Sequence, residues 1–292
     1  MKHELLSKIN FDILKRHSKN KSLYSHVSLY SPITSTFYEY DGNTLRPVVK
    51  PHQNASIISF LPPEEITSES IEINKYVDAE NLYDAIELKL FDELSLEPSL
   101  EYKICFCEHP TPIESNETKK YDVFLATHPA IRQKFEKLED TYIDFIFAPH
   151  LAIKSLFTKN FLSDSGTFAF IYLHNDSAYL CIYQNGAYVY SKSIRTTLKI
   201  LADKFSERLG ERIDFDDFVK LVTNLEFRLQ RDEYKSGFKI ILEDFFASIS
   251  DILVHAKRIN QLSGFEAIYI STEHGNVANI SECAGEYFET SF

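Results

Sequence analysis

The sequence predicts an α/β protein of two similarly built lobes, and three observations carry that prediction. Two β-meanders lie far apart in the chain, one bent at Asp41-Gly42 and the other at Asn185-Gly186, dipeptides that favour tight hairpin turns. Each meander is followed by segments whose apolar residues recur at helical spacing. The chain is also long enough for two lobes: 292 residues, 44% hydrophobic and 25% charged, with 8 Gly and 10 Pro, an ordinary globular composition.

Taken in order, residues 1–21 carry Leu5, Leu6, Ile9, Ile13 and Leu14 at helical spacing among Lys2, Lys8, Lys15, Arg16, Lys19 and Lys21. The pattern is that of a short basic amphipathic helix, which either packs on its own lobe or docks on an anionic membrane surface or an acidic partner. Strands follow in "SLYSHVSLY", "STFYEYDG", "TLRPVVK" and "ASIISFLPP". Residues 78–94 then form a helix with Leu82, Ile86, Leu90 and Leu94 on one face and carboxylates on the other, an amphipathic division. "EYKICFCE" and "YDVFLATH" read as strands around the polar loop 109–119. "PAIRQKFEKLED" starts a helix with Pro129 in its first turn, where a missing N–H does no harm. "YIDFIFAP" returns as a strand, and "HLAIKSLFTKN" closes the first lobe as a helix.

The second lobe opens with "TFAFIYL", apolar almost throughout and so a strand buried on both faces. Helices are expected at 195–209, 214–229 and 236–261. The last carries the stripe Phe238, Ile241, Leu242, Phe245, Ile249, Ile252, Leu253 and Ala256. "FEAIYIST" is a final strand that ends at the turn "EHGN". The expected division is a first lobe over 1–160, interrupted by a small inserted subdomain at about 71–127, and a second lobe over 161–292.

Charge and composition exclude several functions. A formal net charge of -12 repels nucleic-acid backbones, so no nucleic-acid partner is expected. No stretch reaches the ~20 apolar residues of a membrane span, and the N-terminus lacks the apolar core and cleavage site of a signal peptide. Cys105, Cys107, Cys181 and Cys283 show no disulfide-framework spacing, which points to the cytoplasm. The ending "GEYFETSF" is compatible with a chain that continues towards a membrane helix.

Catalytic chemistry finds no foothold. Cys105, Cys107 and His109 alternate on one strand face and are zinc-ligand types, yet no second pair has ligand spacing, so no metal is expected. No serine or cysteine sits in a glycine-flanked elbow. Asp216-Asp217 falls in a helical first turn, where carboxylates complement the dipole. Tyr179, Tyr183, Tyr188 and Tyr190 read as packing on sheet faces.

The order of these parts resembles one family. The early Asp41-Gly42 hairpin, "DAENLYDAIELKLFDEL" followed by "EYKICFCE", the run "YDVFLATHPAIRQKFEKLEDTYIDFIFAPHLAIKSLF", the hairpin "DSAYLCIYQNGAYVYSKSI", then "ISDILVHAKRI" and "FEAIYIST" are similar to the actin-like family of the type IV pilus platform protein PilM and the cytoplasmic domain of the type II secretion protein GspL. The resemblance runs from about Ser22 to about Asn279. It implies a two-lobed actin-like (ribonuclease H-like) α/β fold with a small inserted subdomain.

The resemblance also implies a degenerate member. The family's phosphate-binding hairpin aspartate and glycine fall near Tyr172 and His174, the first hairpin offers Ser28 and Tyr30, and the C-terminal turn has Thr272 and Glu273 where glycines would sit. Glycine is needed there because only it allows close backbone approach to a phosphate, and a glutamate would repel one. Asn175, Asp176 and Ser177 are the remaining candidates for residual ATP binding; otherwise no cofactor and no catalytic residue are expected.

What the family implies in their place is a non-enzymatic cytoplasmic scaffold, peripheral on the inner membrane, in a type IV pilus, type II secretion or DNA-uptake machine. Its expected partners are the cytoplasmic tail of a bitopic inner-membrane protein, the assembly ATPase, or both. The tail would lie in a groove between the early sheet (23–60) and the insert, added along a strand edge. An arginine-rich tail would suit Asp78, Glu80, Asp84 and Glu87, which read equally well as a solvated helix face. The alternative is an actin-like ATP-binding protein or ATPase with atypical phosphate loops.

Overall fold

The computed structural model describes residues 26–40, 45–110, 117–138, 142–223, 232–274 and 277–288. The basic N-terminal segment and the Asp41-Gly42 turn therefore lie outside the described residues. The chain forms two compact units, Met1–Ile153 and Lys154–Phe292.

The first unit begins with β1 (His26–Ser31), β2 (Thr36–Tyr40), β3 (Leu45–Val48) and β4 (Ala55–Phe60). An insert follows, made of β5 (Thr67–Asn74), α1 (Leu82–Leu94), β6 (Tyr102–Glu108) and β7 (Thr118–Thr127). The unit closes with α2 (His128–Phe135), β8 (Phe145–Phe147) and α3 (Pro149–Ala152). Its main sheet runs β3-β2-β1-β4-β8, antiparallel through the meander and parallel from β1 to β4 to β8.

The insert is a separate antiparallel sheet, β5-β7-β6, with α1 on one face. The spacing that predicted α1 is the spacing that packs it: Leu82, Ile86 and Leu90 are buried against Ile71, Ile73, Phe106, Val123 and Leu125. Each such side chain contributes about 1.5–3 kcal/mol of burial. Strand β5 has no counterpart in the sequence reading. Its only period-2 signal is Ile71 and Ile73 between exposed polar neighbours, too short to outweigh the surrounding Ser and Glu. α2 starts as Pro129 suggests, with the Thr127 hydroxyl capping it by accepting the Ala130 N–H at 3.3 Å.

The segment "HLAIKSLFTKN" is not one helix. It breaks into α3 and α4 (Lys154–Thr158), and the unit boundary falls between them. Phe157 on α4 is committed to the second unit, its ring 5.3 to 6.1 Å from Tyr183, Phe168 and Phe170.

The second unit continues with β9 (Thr167–Leu173), β10 (Ala178–Gln184), β11 (Ala187–Ser193), α5 (Leu198–Leu209), α6 (Phe215–Thr223), α7 (Asp232–Ile259), β12 (Ala267–Ser271) and α8 (Ala278–Phe288). Its sheet order, β11-β10-β9-β12, repeats β3-β2-β1-β4 with the same strand senses. The two meanders thus mark two copies of one topology. Ala169, Ile171, Leu180, Ile182 and Ile268 line the face packed under α5, α6 and α7. The α7 stripe is buried as its spacing requires, except that Ile252 is half-buried and Phe246 joins the core. Helix α8 was not foreseen. Its buried apolar positions, Ile280 and Ala284, are too few to announce a helix.

Candidate functional site in the second unit

The site is the four-residue turn between β9 and β10. The strands pair Leu173 with Ala178, so His174, Asn175, Asp176 and Ser177 must reverse the chain. The His174 N–H closes the turn on the Ser177 carbonyl at 2.8 Å. Helix α5 then begins against the same turn. Its Leu198 and Lys199 N–H groups donate to the carbonyls of His174 (3.0 Å) and Asn175 (3.2 Å), and the Thr197 hydroxyl accepts from Ile200 N–H at 3.4 Å. The first amides of a helix are the groups that bind anions elsewhere. Here they are satisfied within the chain.

Strand β12 runs parallel to β9, with Ser271 beside Tyr172, so the residues after it arrive at the turn. Glu273 Oε1 accepts the Asn175 N–H at 3.2 Å, and its Oε2 is bonded to Nε2 of His174. His274 Nε2 donates to the Asn175 side-chain oxygen at 2.7 Å, while its own N–H is held by the Thr272 hydroxyl at 3.0 Å. His174 is 3% exposed and stacks on Tyr172 at 5.7 Å. Asp176 pairs with Lys199 at 2.7 and 2.9 Å; both are solvent-exposed, so this pair contributes at most about 1 kcal/mol.

Asn175, Asp176 and Ser177 therefore do share one turn, and the chain itself engages them: Glu273 and His274 take Asn175, Lys199 takes Asp176, and His174 takes the Ser177 carbonyl. What the sequence reading missed is the convergence of Glu273 on Asn175 from 98 residues away. No local pattern signals it, because it depends on the parallel pairing of β12 with β9. In the first unit Ser28 and Tyr30 are buried sheet residues. The Tyr30 ring packs 5.0 Å from Phe37, and the Ser28 hydroxyl lies 3.4 Å from Glu39 Oε1.

In the insert, Asp78, Glu80 and Asp84 are exposed and Glu87 is half-buried. They impose a negative field on that face: burial first, then the Glu87 and Asp84 carboxylates, raise the Tyr83 phenol above its ordinary value. On the early sheet, a hollow of about 490 Å³ is lined by Tyr30, Phe37, Val48, Val49, Lys137 and Leu138. His109 is engaged by Asp122 (2.8 Å), and burial pushes the Cys105 thiol up to about 11. Among the described residues no three His, Cys, Asp or Glu side chains are grouped to hold a metal, and no helix is long and apolar enough to cross a membrane.

Fold and site together define a class: a two-lobed actin-like α/β protein with an inserted subdomain, whose β9–β10 hairpin turn is engaged by its own side chains. Among solved structures the chain is similar to a chain of the PilM–PilN type IV pilus biogenesis complex, with 12% identity and a TM-score of 0.66 over 87% of this chain and 83% of that one. It also aligns with the cytoplasmic domain of EpsL, an inner membrane component of the type II secretion system of Vibrio cholerae (10% identity, TM-score 0.36, 64% and 79% covered). A third alignment is with the archaeal actin homologue Ta0583 (14%, 0.38, 56% and 58%). No family model matches the sequence, and no curated protein matches it. The family resemblance read from the sequence is met at the level of the fold.

Proposed function

We propose that this protein is a non-enzymatic scaffold of a type IV pilus, type II secretion or DNA-uptake machine, held at the cytoplasmic side of the inner membrane by a bitopic partner. The observation that carries the absence of catalysis is the self-engaged turn. Glu273 places a carboxylate on the Asn175 amide and the His174 imidazole, so a phosphate arriving there would meet like charge and no free donor. The likeness to a chain of the PilM–PilN complex over most of both chains supports the machine and the kind of partner. An arginine-rich cytoplasmic tail fits the face of Asp78, Glu80, Asp84 and Glu87, with binding that weakens as salt screens the charges. A second contact, with the assembly ATPase, is part of the same proposal.

Two measurements test it together. ATP with Mg²⁺, titrated calorimetrically to millimolar concentration, is expected to give no binding and no hydrolysis. Co-expressed with a bitopic protein encoded beside it, the protein is expected to sediment with membranes and to be released when the partner's cytoplasmic tail is deleted. Micromolar ATP binding or turnover would overturn the reading in favour of an actin-like ATP-binding protein with atypical phosphate loops. Sedimentation that does not depend on the tail would overturn the anchoring.

A further inference from the structure

We infer that the β9–β10 turn is an intact small-oxyanion site whose ligand is the chain's own Glu273 carboxylate, and that removing this carboxylate opens the site to free phosphate. The inference deepens the scaffold reading and rests on it in one respect, that the wild-type turn is closed to outside anions.

Two nitrogen donors hold the carboxylate, and a third nitrogen lies nearby. The Asn175 N–H meets Oε1 at 3.2 Å and His174 Nε2 meets Oε2; His274 Nε2, which donates to the Asn175 side-chain oxygen, lies 3.7 Å from Oε1. A backbone amide at a turn and an imidazole are donors of the kind an oxyanion site uses. The one acidic neighbour on the turn, Asp176, is neutralised by Lys199 at 2.7 Å. The donors are also held in place without the carboxylate. His174 is stacked on Tyr172, the His174 and Asn175 carbonyls are tied to the start of α5, and the His274 ring packs edge-on to Phe215 at 6.3 Å. Truncating Glu273 would therefore leave a preorganised set of donors and a space the size of a carboxylate. Access follows from exposure: the Glu273 and His274 side chains are 17% and 26% exposed, against 3% for His174.

The ligand class is narrow. Because the first α5 amides are already bonded to His174 and Asn175 carbonyls and to Thr197, a polyphosphate chain gains no second anchor. A single compact oxyanion, inorganic phosphate or a short carboxylate such as acetate, matches the donors that remain.

The test is thermal unfolding of wild type and Glu273→Ala at constant ionic strength in chloride, phosphate and acetate. In chloride the variant is expected to melt several degrees lower, because a mostly buried imidazole and an amide lose their acceptor. Millimolar phosphate or acetate is expected to restore most of that loss saturably in the variant and to leave wild type unmoved. The double variant Glu273→Ala/His174→Ala is expected to show no restoration. Glu273→Asp, with the carboxylate drawn back by one methylene, is the second variant should Glu273→Ala not fold, with a smaller restoration expected. An anion response in neither variant, or an equal one in wild type, overturns the inference. Stabilisation of wild type by micromolar ATP with Mg²⁺ would overturn instead the scaffold reading above.

Discussion

Asp122 and His109 form a buried pair in the insert, Oδ2 to Nδ1 at 2.8 Å, with side chains 3% and 1% exposed. The other carboxylate oxygen accepts the Ser70 hydroxyl at 2.6 Å. Asp122 thus bonds both the end of β6 and strand β5 from its place on β7. The serine bonds the carboxylate and not the imidazole, so the trio differs in order from a nucleophilic triad and reads as a structural tie. Asp122→Ala is expected to destabilise the protein by about 1–3 kcal/mol, the usual effect of orphaning a buried hydrogen-bond partner. Urea unfolding measures it, and a change within 0.5 kcal/mol would contradict the structural role.

The two faces of α1 should respond in opposite ways. Ile86→Ala and Leu90→Ala remove side chains with no exposed surface and are expected to destabilise by about 2–5 kcal/mol each. Asp84→Ala on the exposed face is expected to stay within about 0.5 kcal/mol while weakening capture of a basic partner segment. Hydrogen exchange across β5–β7 separates the two effects, since protection there should fall only for the core substitutions.

A pH dependence follows from His150. Burial lowers its pKa from 6.5 to about 4, and its ring lies 5.5 Å from that of Phe124. The neutral ring is favoured in the fold, so on acidification the unfolded chain takes up the proton first. The contribution is whole above pH 6.5 and is lost as the pH falls towards about 4, by up to about 3 kcal/mol. Chemical unfolding at pH 7 and pH 4.5 is expected to show a steeper acid loss for wild type than for His150→Phe.

Two glycines should behave differently when changed to alanine. Gly186 follows Asn185 in the β10–β11 turn with φ of 72°, a left-handed conformation that disfavours any Cβ, and Gly186→Ala is expected to destabilise by about 1–2 kcal/mol. Gly237 lies within α7, where a Cβ would meet Leu209 Cδ2 at 3.4 Å and Phe205 Cε2 at 3.5 Å, ordinary contact distances. Gly237→Ala is expected to stabilise by about 0.5–1 kcal/mol through helix propensity. Melting temperatures of the two variants on either side of wild type would confirm both.

The parts of this protein that depend on neighbours along the chain were legible in its sequence. Leu82, Ile86 and Leu90 announced α1, Asn185-Gly186 announced a hairpin, and the unbroken apolar run of β9 announced a strand buried on both faces. These signals are local because helix and strand periodicities repeat within a few residues. Strand β5, helix α8 and the break between α3 and α4 were decided by packing, where weak local preferences yield to a sheet edge or an aromatic cluster around Phe157. The site was divided in the same way. The resemblance implied that His174 and Glu273 fall where glycines of a phosphate site would be, and a glutamate there suggested repulsion. Only the parallel pairing of β12 with β9, between segments about a hundred residues apart, turned Glu273 from an obstacle into a ligand of the turn. A carboxylate repels a phosphate, yet it is itself the anion that an amide and an imidazole can hold.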